Sequence, residues 1–275
     1  ILLVSSFEHL IEPSYEIITG GLQGNFIYQY TQRLTTTLGY EFTVNNQLTR
    51  NAQEQLPDSV LNYNVSSLSV SALYRDRVFA NREGWIIQPY LEYSGPLGEA
   101  DYTFQKIAMD VRRLERLGNS LSFAARLQGG MINYAGQDSL PQNIRFFNGG
   151  TSKVRGYARD QLGPKRPVFN EAGDFALYLP VGGRATYSFS VELRQRIDKL
   201  IRGVEITGFL DGGALWRNVS DVNLDATRFG TGGGIRYRSP IGPIRIEFAH
   251  KVNPTLQDKN FFNGQDFGNF WDRNR

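Results

Sequence analysis

Apolar and polar residues alternate with a period of two along most of this chain, which is the pattern of β-strands with one apolar face. The clearest example is the segment 187–197, "YSFSVELRQRI". There Val191 and Leu193 fall on one face, while Glu192 and Arg194 fall on the other. The segment therefore predicts a strand that is apolar on one side only.

The same period recurs often enough to predict about ten strands, or eleven if the first residues form one. The strongest candidates are residues 66–76, 120–130, 187–197 and 242–252. Weaker ones are residues 16–30, 34–45, 85–94, 102–113, 203–216 and 228–238. We find no helical period, so the predicted class is all-β.

The predicted connections alternate between short turns and long polar loops. The short turns are residues 31–33, 80–84, 116–120, 198–203 and 239–243. The longer loops are residues 46–64, 135–184, 217–227 and 254–275, with a short exception near 95–100. Short turns at one end and long loops at the other are typical of an antiparallel outer-membrane β-barrel. No run of about 18 apolar residues occurs, so no transmembrane helix is predicted.

Aromatic residues occur near several strand ends, at Trp85, Tyr93, Tyr187, Trp216 and Tyr237. In a barrel they would form the girdles at the membrane interfaces, in keeping with 14 Tyr and 18 Phe in the chain. Taken alone, the aromatic residues fit the core of a soluble β-sandwich equally well.

The polar faces of the strands favour the barrel, because opposite charges can pair across a water-filled lumen. The charged residues that share this parity are Lys106, Asp110, Arg112, Arg126, Glu192, Arg194, Arg236, Arg238, Arg245 and Glu247.

Several classes of chemistry are not expected. The chain has no cysteine, and its two histidines, His9 and His250, are far apart in sequence, so we expect no metal site. A net charge of +3 without a basic run does not indicate a nucleic-acid partner. No G-x-S-x-G motif is present, and the glycines of 210–216 and 229–238 fit strands better than a phosphate loop, so we expect neither an enzyme nor a cofactor.

The segment 146–164, "FFNGGTSKVRGYARDQLGP", resembles the sixth extracellular loop of the BamA/TamA-like superfamily of outer-membrane assembly factors and polypeptide transporters. The resemblance continues through "SVELRQRI", "GFLDGGALW" and "GGGIRYRSPIGPIRIEFAHKVNP", over about 130 residues. It implies a 16-stranded antiparallel transmembrane barrel whose long loop, residues 135–184, folds back into the lumen.

The resemblance also implies a latch that fixes this loop to the barrel wall. Its residues would be Val154, Arg155, Gly156 and Tyr157, its acidic wall partners Glu192 and Asp211, and its loop glycines Gly149, Gly150 and Gly163. Strand parity agrees, because Glu192 lies on the polar face and Asp211 does so if Ile206 and Leu210 face lipid. The alternative is a glycine-rich surface loop with a solvated arginine.

The expected function is the insertion or assembly of β-barrel precursors in the outer membrane, with the lipid bilayer and unfolded outer-membrane proteins as partners. Accessory lipoproteins or other outer-membrane proteins could bind loops 46–64 and 254–275. A two-partner-type polypeptide secretion pore and a passive porin-like channel remain alternatives. We expect residues 1–275 to be a partial barrel of a longer protein, without its first strands, its last strand and its periplasmic polypeptide-binding domains.

Overall fold

The computed structural model describes residues 1–12, 15–49, 59–76, 83–95, 97–134, 136, 139–169, 175–198, 200–239 and 242–259. The strands in these ranges are β1 (Leu2–Ile11), β2 (Tyr15–Gln29), β3 (Leu34–Thr49), β4 (Ser59–Arg75), β5 (Gly84–Ser94), β6 (Phe104–Arg116), β7 (Leu121–Tyr134), β8 (Lys165–Phe169), β9 (Phe175–Pro180), β10 (Ala185–Arg196), β11 (Val204–Trp216), β12 (Arg228–Ser239) and β13 (Gly242–Lys251). Short helical turns lie at Gln142–Ile144, Val219–Asp221 and Leu224–Ala226, and the helix α1 at Leu256–Lys259.

Eleven strands form one antiparallel sheet in the order β1-β2-β3-β4-β5-β6-β7-β10-β11-β12-β13. Sequence neighbours pair throughout, except that β7 pairs with β10 across the long connection between Tyr134 and Ala185. Within that connection β8 and β9 form a separate hairpin. The all-β antiparallel prediction is confirmed.

The two faces of the sheet differ in the way that the alternation predicts. On β10, Val191 and Leu193 are 37% and 48% exposed, whereas Glu192 between them is 5% exposed. We call the face that carries Val191 and Leu193 the outer face, and the face that carries Glu192 the inner face. The residues from 139 to 184 that the structure describes pack on the inner face, and we call them the inner loop.

The largest hydrophobic cluster lies between the inner loop and the wall. Tyr63, Tyr102 and Ile132 from the wall pack with Leu140 and Ile144 from the inner loop. Ile132 is fully buried. The loop therefore has an apolar core of its own against the sheet, in addition to its polar contacts.

The sheet has one end with long connections, which we call the long-loop end. The connections β7–β10 and β11–β12 lie there, and the short connections β2–β3, β6–β7 and β12–β13 lie at the other end. The connection between β1 and β2, residues 12–14, is a short exception at the long-loop end. In the outer-membrane barrel that the sequence predicts, long loops lie on the outside, so the long-loop end would be the extracellular one.

Some predicted boundaries were wrong. Strands β3 and β4 extend to Thr49 and from Ser59, so much of the predicted loop 46–64 is strand. The polar residues of this segment indicated a loop, but they alternate on a strand. Gln47 within the segment and Asn45 just before it face inward, where each is 2% exposed. The hairpin β8–β9 was not predicted. Residues 50–58 and 260–275, the rest of the two loops considered as partner sites, lie outside the described residues.

Within the described part of the chain, no helix has the length and apolar character needed to cross a membrane.

Candidate functional site on the inner wall

Arg155 projects from the inner loop onto the wall and binds Asp211 of β11 with two parallel hydrogen bonds. Its Nε donates to Asp211 Oδ2 at 2.6 Å, and its Nη2 donates to Oδ1 at 2.8 Å. The main-chain N–H of Arg155 also donates to Asp211 Oδ2, at 3.0 Å. Asp211 thus holds both the side chain and the backbone of the loop residue, and a bidentate pair of this kind fixes orientation as well as distance.

The remaining donors of the Arg155 guanidinium are used on two other strands of the sheet. Its Nη1 donates to Glu192 Oε2 on β10 at 2.9 Å and to Glu247 Oε2 on β13 at 3.3 Å. Its Nη2 also donates to Ser190 Oγ at 3.0 Å. One arginine therefore connects three strands of the sheet, β10, β11 and β13.

An aromatic ring supports the guanidinium from one side. The Cζ atom of Arg155 lies 3.4 Å from the ring centroid of Phe209, which is two residues before Asp211 on the same strand face. A cation over an aromatic face is stabilised by the ring quadrupole, and more so where water is excluded. The stacked ring also limits where the planar guanidinium can lie.

The ion pairs are shielded from water and balanced in charge. Arg155 is 8% exposed, Glu192 5% and Asp211 0%. Glu192 Oε1 also forms an ion pair with Arg236 Nη2 at 2.6 Å and accepts a hydrogen bond from Arg194 Nε at 2.5 Å. Because buried charges are tolerated only when paired, this network explains how three carboxylates can share one inner wall.

The electrostatics of the site keep Arg155 charged. Burial acts to lower the pKa of its guanidinium, but the hydrogen bonds and charges of Asp211 and Glu192 outweigh burial and raise the pKa above its ordinary value. The guanidinium of Arg155 therefore stays protonated and available to the carboxylates of the wall. Neither Glu192 nor Asp211 is left as a free carboxylate for acid–base chemistry.

The residues on either side of Arg155 fit the loop to the wall. Val154 and Tyr157 are 0% and 3% exposed and pack with Leu162 of the loop and Leu215 of β11. Lys251 Nζ lies 5.4 Å from the ring centroid of Tyr157. Burial, followed by the charge of Asp258, raises the pKa of the Tyr157 hydroxyl. All four residues of the "VRGY" segment thus lie at the interface between loop and wall.

The loop glycines occupy backbone positions that disfavour other residues. Gly149, Gly150, Gly156 and Gly163 have φ angles of 101°, 98°, 94° and 121°. A Cβ atom at Gly156 would also lie 3.2 Å from the carbonyl carbon and oxygen of His250 on β13. Gly156 therefore gives the chain both the turn after Arg155 and its close approach to the wall.

Gly230 of β12, which we had interpreted only as a strand glycine, lies against the backbone of Arg155. A Cβ atom at Gly230, on β12, would lie 1.9 Å from the carbonyl oxygen of Arg155. Gly230 is the register partner of Asp211. The bare backbone at Gly230 thus leaves space for the loop beside the carboxylate that binds it.

Further contacts that the sequence did not reveal attach the inner loop to other parts of the sheet. Asn148, 1% exposed, donates to the carbonyls of Tyr187 and Ala214 at 2.9 and 3.3 Å. Arg126 of β7 donates to the carbonyl of Ser152 at 2.9 Å. The only sequence signal for these was the inward parity of Arg126 and the asparagine before the double glycine.

Two ion pairs lie at the edges of the loop. Lys165 of β8 pairs with Asp258 of α1, with side chains only 2% and 6% exposed. Arg159 pairs with Glu12 between β1 and β2 at 2.6 Å, but the Arg159 side chain is 74% exposed. The buried ion pair of the loop thus lies on the β13 side, and the exposed one lies on the β1 side.

No group of three or more residues suited to bind a metal ion occurs among the described histidines and acidic residues.

The fold is similar to solved structures of outer-membrane barrels. BamA from Haemophilus ducreyi lacking POTRA domains 1-3 matches with a TM-score of 0.73 at 18% identity, over 89% of this chain and 52% of that one. CdiB from Escherichia coli matches with a TM-score of 0.59 at 15% identity, over 92% of this chain and 46% of that one. CdiB from Acinetobacter baumannii gives 0.57 at 13% identity, over 90% and 41%.

The chain is also similar in sequence to proteins named outer membrane protein assembly factor BamA. It is 26% identical over 195 residues to the protein of Nitratidesulfovibrio vulgaris, covering 69% of this chain and 23% of that protein. It is 28% identical over 161 residues to the protein of Neisseria meningitidis serogroup B, covering 48% of this chain and 20% of that protein. The chain thus spans about a quarter or less of these relatives. The Omp85 superfamily domain matches residues 6–267 of this chain. The chain therefore belongs to the Omp85 superfamily and lies in the outer membrane as a β-barrel.

Proposed function

We propose that this chain is the barrel part of an outer-membrane protein assembly factor whose clients are unfolded β-barrel precursors. The observation that carries this proposal is the buried arginine latch. Arg155 joins β10, β11 and β13 through Glu192, Asp211 and Glu247. The names of the relatives that the chain resembles in sequence support assembly over the other activities considered.

The latch suits a barrel in which one wall is rigid and another part moves. Four strands, β10 to β13, are tied together through the network around Arg155, including Arg236 of β12. At β1 and β2 the ionic contact of the loop is the exposed pair of Arg159 with Glu12, beside the apolar packing of Tyr15 of β2 against the loop. We propose that the loop lies in the lumen and keeps the β10–β13 wall in register while strands elsewhere open. A client strand would then add to an exposed edge through main-chain hydrogen bonds.

The experiment is a charge-exchange series in the full-length protein, with assembly of a reporter outer-membrane barrel as the readout. Arg155→Glu is expected to impair reporter folding, because it places a fourth carboxylate among Glu192, Asp211 and Glu247. Adding Asp211→Arg or Glu192→Arg should restore part of the activity. Wild-type reporter folding in Arg155→Glu, at equal amounts of protein in the membrane, would reject the proposal.

A polypeptide secretion pore is the second candidate, and one feature favours it. A cavity of about 590 Å³ lies between the inner loop and the wall, with Gln88, Asp110, Gln128 and Lys153 among its polar lining residues. An extended polypeptide passing through the lumen would contact these polar side chains. The same variants distinguish the two activities if export of a soluble reporter polypeptide is measured beside barrel assembly. Loss of export with intact assembly would favour the pore, and a change in ion conductance alone would favour a passive channel.

A further inference from the structure

The outer face of the sheet contains a concave site between β6, β7 and β10 at its long-loop end, which we call the outer groove. Its volume is about 470 Å³, and its walls include Met109, Leu127, Met131, Tyr187 and Trp216. Its floor is Gly129, which pairs with Met109 of β6 on one side and Tyr187 of β10 on the other. Since Gly129 has no side chain, a notch opens between the flanking apolar residues.

The loop between β11 and β12 covers one side of the outer groove. Val219, Val222 and Leu224 of this loop line the groove, and they are 39%, 51% and 72% exposed. Exposing these three apolar side chains to water costs free energy, whereas placing them beside lipid hydrocarbon does not. The groove is continuous with the membrane-facing surface, where Met109 and Leu127 are also about half exposed. Its occupant therefore comes from the bilayer.

The outer groove also contains an unused hydrogen-bond donor. The Trp216 ring stacks on Tyr187 with 5.7 Å between centroids, and the residue is 7% exposed. Its indole Nε1 is buried and has no hydrogen-bond partner among the described residues. Leaving a buried N–H unpaired costs about 1–3 kcal/mol. An ester or amide carbonyl at the head of an acyl chain would pair with this donor while the chain fills the groove.

Positive charge lies beside the same end of the groove. The main-chain N–H of Arg184 donates to the carbonyl of Trp216, and Arg217 follows Trp216 in sequence. In the part of the chain that the structure describes, the side chain of Arg184 donates only to neutral oxygens, the carbonyl of Tyr134 and Oδ1 of Asn218. Arg184 thus has no acidic partner among the described residues, and together with Arg217 it complements an anionic headgroup.

We propose that the outer groove binds one acyl chain of the phosphorylated, multiply acylated glycolipid of the outer leaflet. The chain lies over Gly129, its ester or amide carbonyl accepts from Trp216 Nε1, and its phosphate lies towards Arg184 and Arg217. The long-loop end places the site in the outer leaflet, which is where such a glycolipid resides.

The test measures lipid retained by the full-length protein after delipidation and incubation with lipopolysaccharide, by native mass spectrometry. Gly129→Leu fills the notch, and a Cβ there would meet the nearest atom only at 3.6 Å, so the strand itself accepts the change. Gly208→Leu is the matched control, because Gly208 is also a strand glycine on the outer face, outside the groove, and a Cβ there has no neighbour within 4 Å. Trp216→Phe keeps an aromatic ring and removes the donor together with part of the ring volume.

The wild type and Gly208→Leu should retain one glycolipid per protein, and Gly129→Leu should lose it. Trp216→Phe should bind glycolipid about three- to tenfold more weakly, because it lacks the indole donor. Heat-modifiable migration on gels establishes that each variant is folded. Equal retention by the wild type and Gly129→Leu, unchanged affinity in Trp216→Phe, or equal retention of phosphatidylglycerol or phosphatidylethanolamine by the wild type would each overturn the proposal.

Discussion

Asp211 accepts three hydrogen bonds from Arg155, two from the guanidinium and one from the main-chain N–H. This relationship fixes a residue of a long loop by both its backbone and its side chain. The two guanidinium bonds require the planar fork of an arginine, since Nε and Nη2 have a fixed spacing.

Arg155→Lys should therefore weaken the latch although it keeps the charge. A lysine ammonium cannot bind Asp211 with two parallel bonds while also reaching Glu192 and stacking on Phe209. We expect a loss of about 2–3 kcal/mol in the free energy of unfolding, measured by urea titration of the full-length protein in detergent or lipid. Arg159→Lys is the matched control, because the Arg159 side chain is 74% exposed and should tolerate the change. Equal stability of the two variants would show that the fork geometry is unimportant.

Gly230→Ala should displace the loop without touching an ion pair. Its Cβ would lie 1.9 Å from the carbonyl oxygen of Arg155, so either the loop or β12 must move. We expect a loss of about 1–3 kcal/mol and faster tryptic cleavage within residues 151–159. Gly208→Ala, on β11, meets no atom within 4 Å and should behave as the wild type. Identical cleavage rates in the two variants would contradict the close approach.

Asn148→Asp keeps the shape of a buried side chain and replaces its amide nitrogen with a carboxylate oxygen. The amide Nδ2 donates to the carbonyls of Tyr187 and Ala214, and a carboxylate there would face two acceptors instead. We expect a loss of at least about 1–3 kcal/mol in the free energy of unfolding. The control is Asn119→Asp in the exposed β6–β7 turn, which should change stability little. If both substitutions have the same small effect, Asn148 does not anchor the loop.

The Lys165–Asp258 pair should give the protein an acid-sensitive contact at the long-loop end. Burial acts to raise the pKa of Asp258, but the charge of Lys165 and hydrogen bonds from Lys165 and Thr255 outweigh it and lower the pKa. Burial also lowers the pKa of Lys165 against the attraction of Asp258. Because the Asp258 pKa is lower in the folded state, its contribution is present above the unfolded value, near pH 4, and disappears as the pH falls through the folded value.

Asp258→Asn should consequently be less stable than the wild type at neutral pH, and the difference should shrink below about pH 4. Thermal unfolding of both proteins across a pH series measures this difference. Asp225→Asn, in the exposed β11–β12 loop, is the control and should show no such dependence. A stability difference that stays constant down to the lowest pH at which the proteins fold would contradict the assignment.

The resemblance of the "VRGY" segment predicted Arg155 as a latch with Glu192 and Asp211 as its partners, and strand parity agreed for Glu192 and, if Ile206 and Leu210 face lipid, for Asp211. The structure brings the three residues into contact, and their role as a latch stays a prediction. Parity alone could not select Glu247, since it gives the face of a residue and not its height along the strand. The height of Glu247 on β13 depends on the register between β12 and β13. In that register Arg236 of β12 pairs with Arg245 of β13.

Other features depend on contacts between segments far apart in sequence. Lys165 and Asp258 meet only because the β8–β9 hairpin reaches the segment after β13, and no periodic pattern predicts that hairpin. Trp216 was interpreted as a residue of the aromatic girdle, and in the structure it is 7% exposed. The β11–β12 loop and Tyr187 cover it, which strand alternation could not reveal.

The most direct test of the latch is a double-mutant cycle between Arg155 and Asp211, using Arg155→Met, Asp211→Asn and the combination in the full-length protein. The free energy of unfolding and the folding of a reporter barrel are measured for all four proteins. We expect each single change to cost about 3–5 kcal/mol, because it leaves a buried partner uncompensated. The double variant should cost less than the sum by at least about 1–3 kcal/mol, and reporter folding should fall in every variant. Costs that add within about 0.5 kcal/mol, with reporter folding unchanged, would contradict the account.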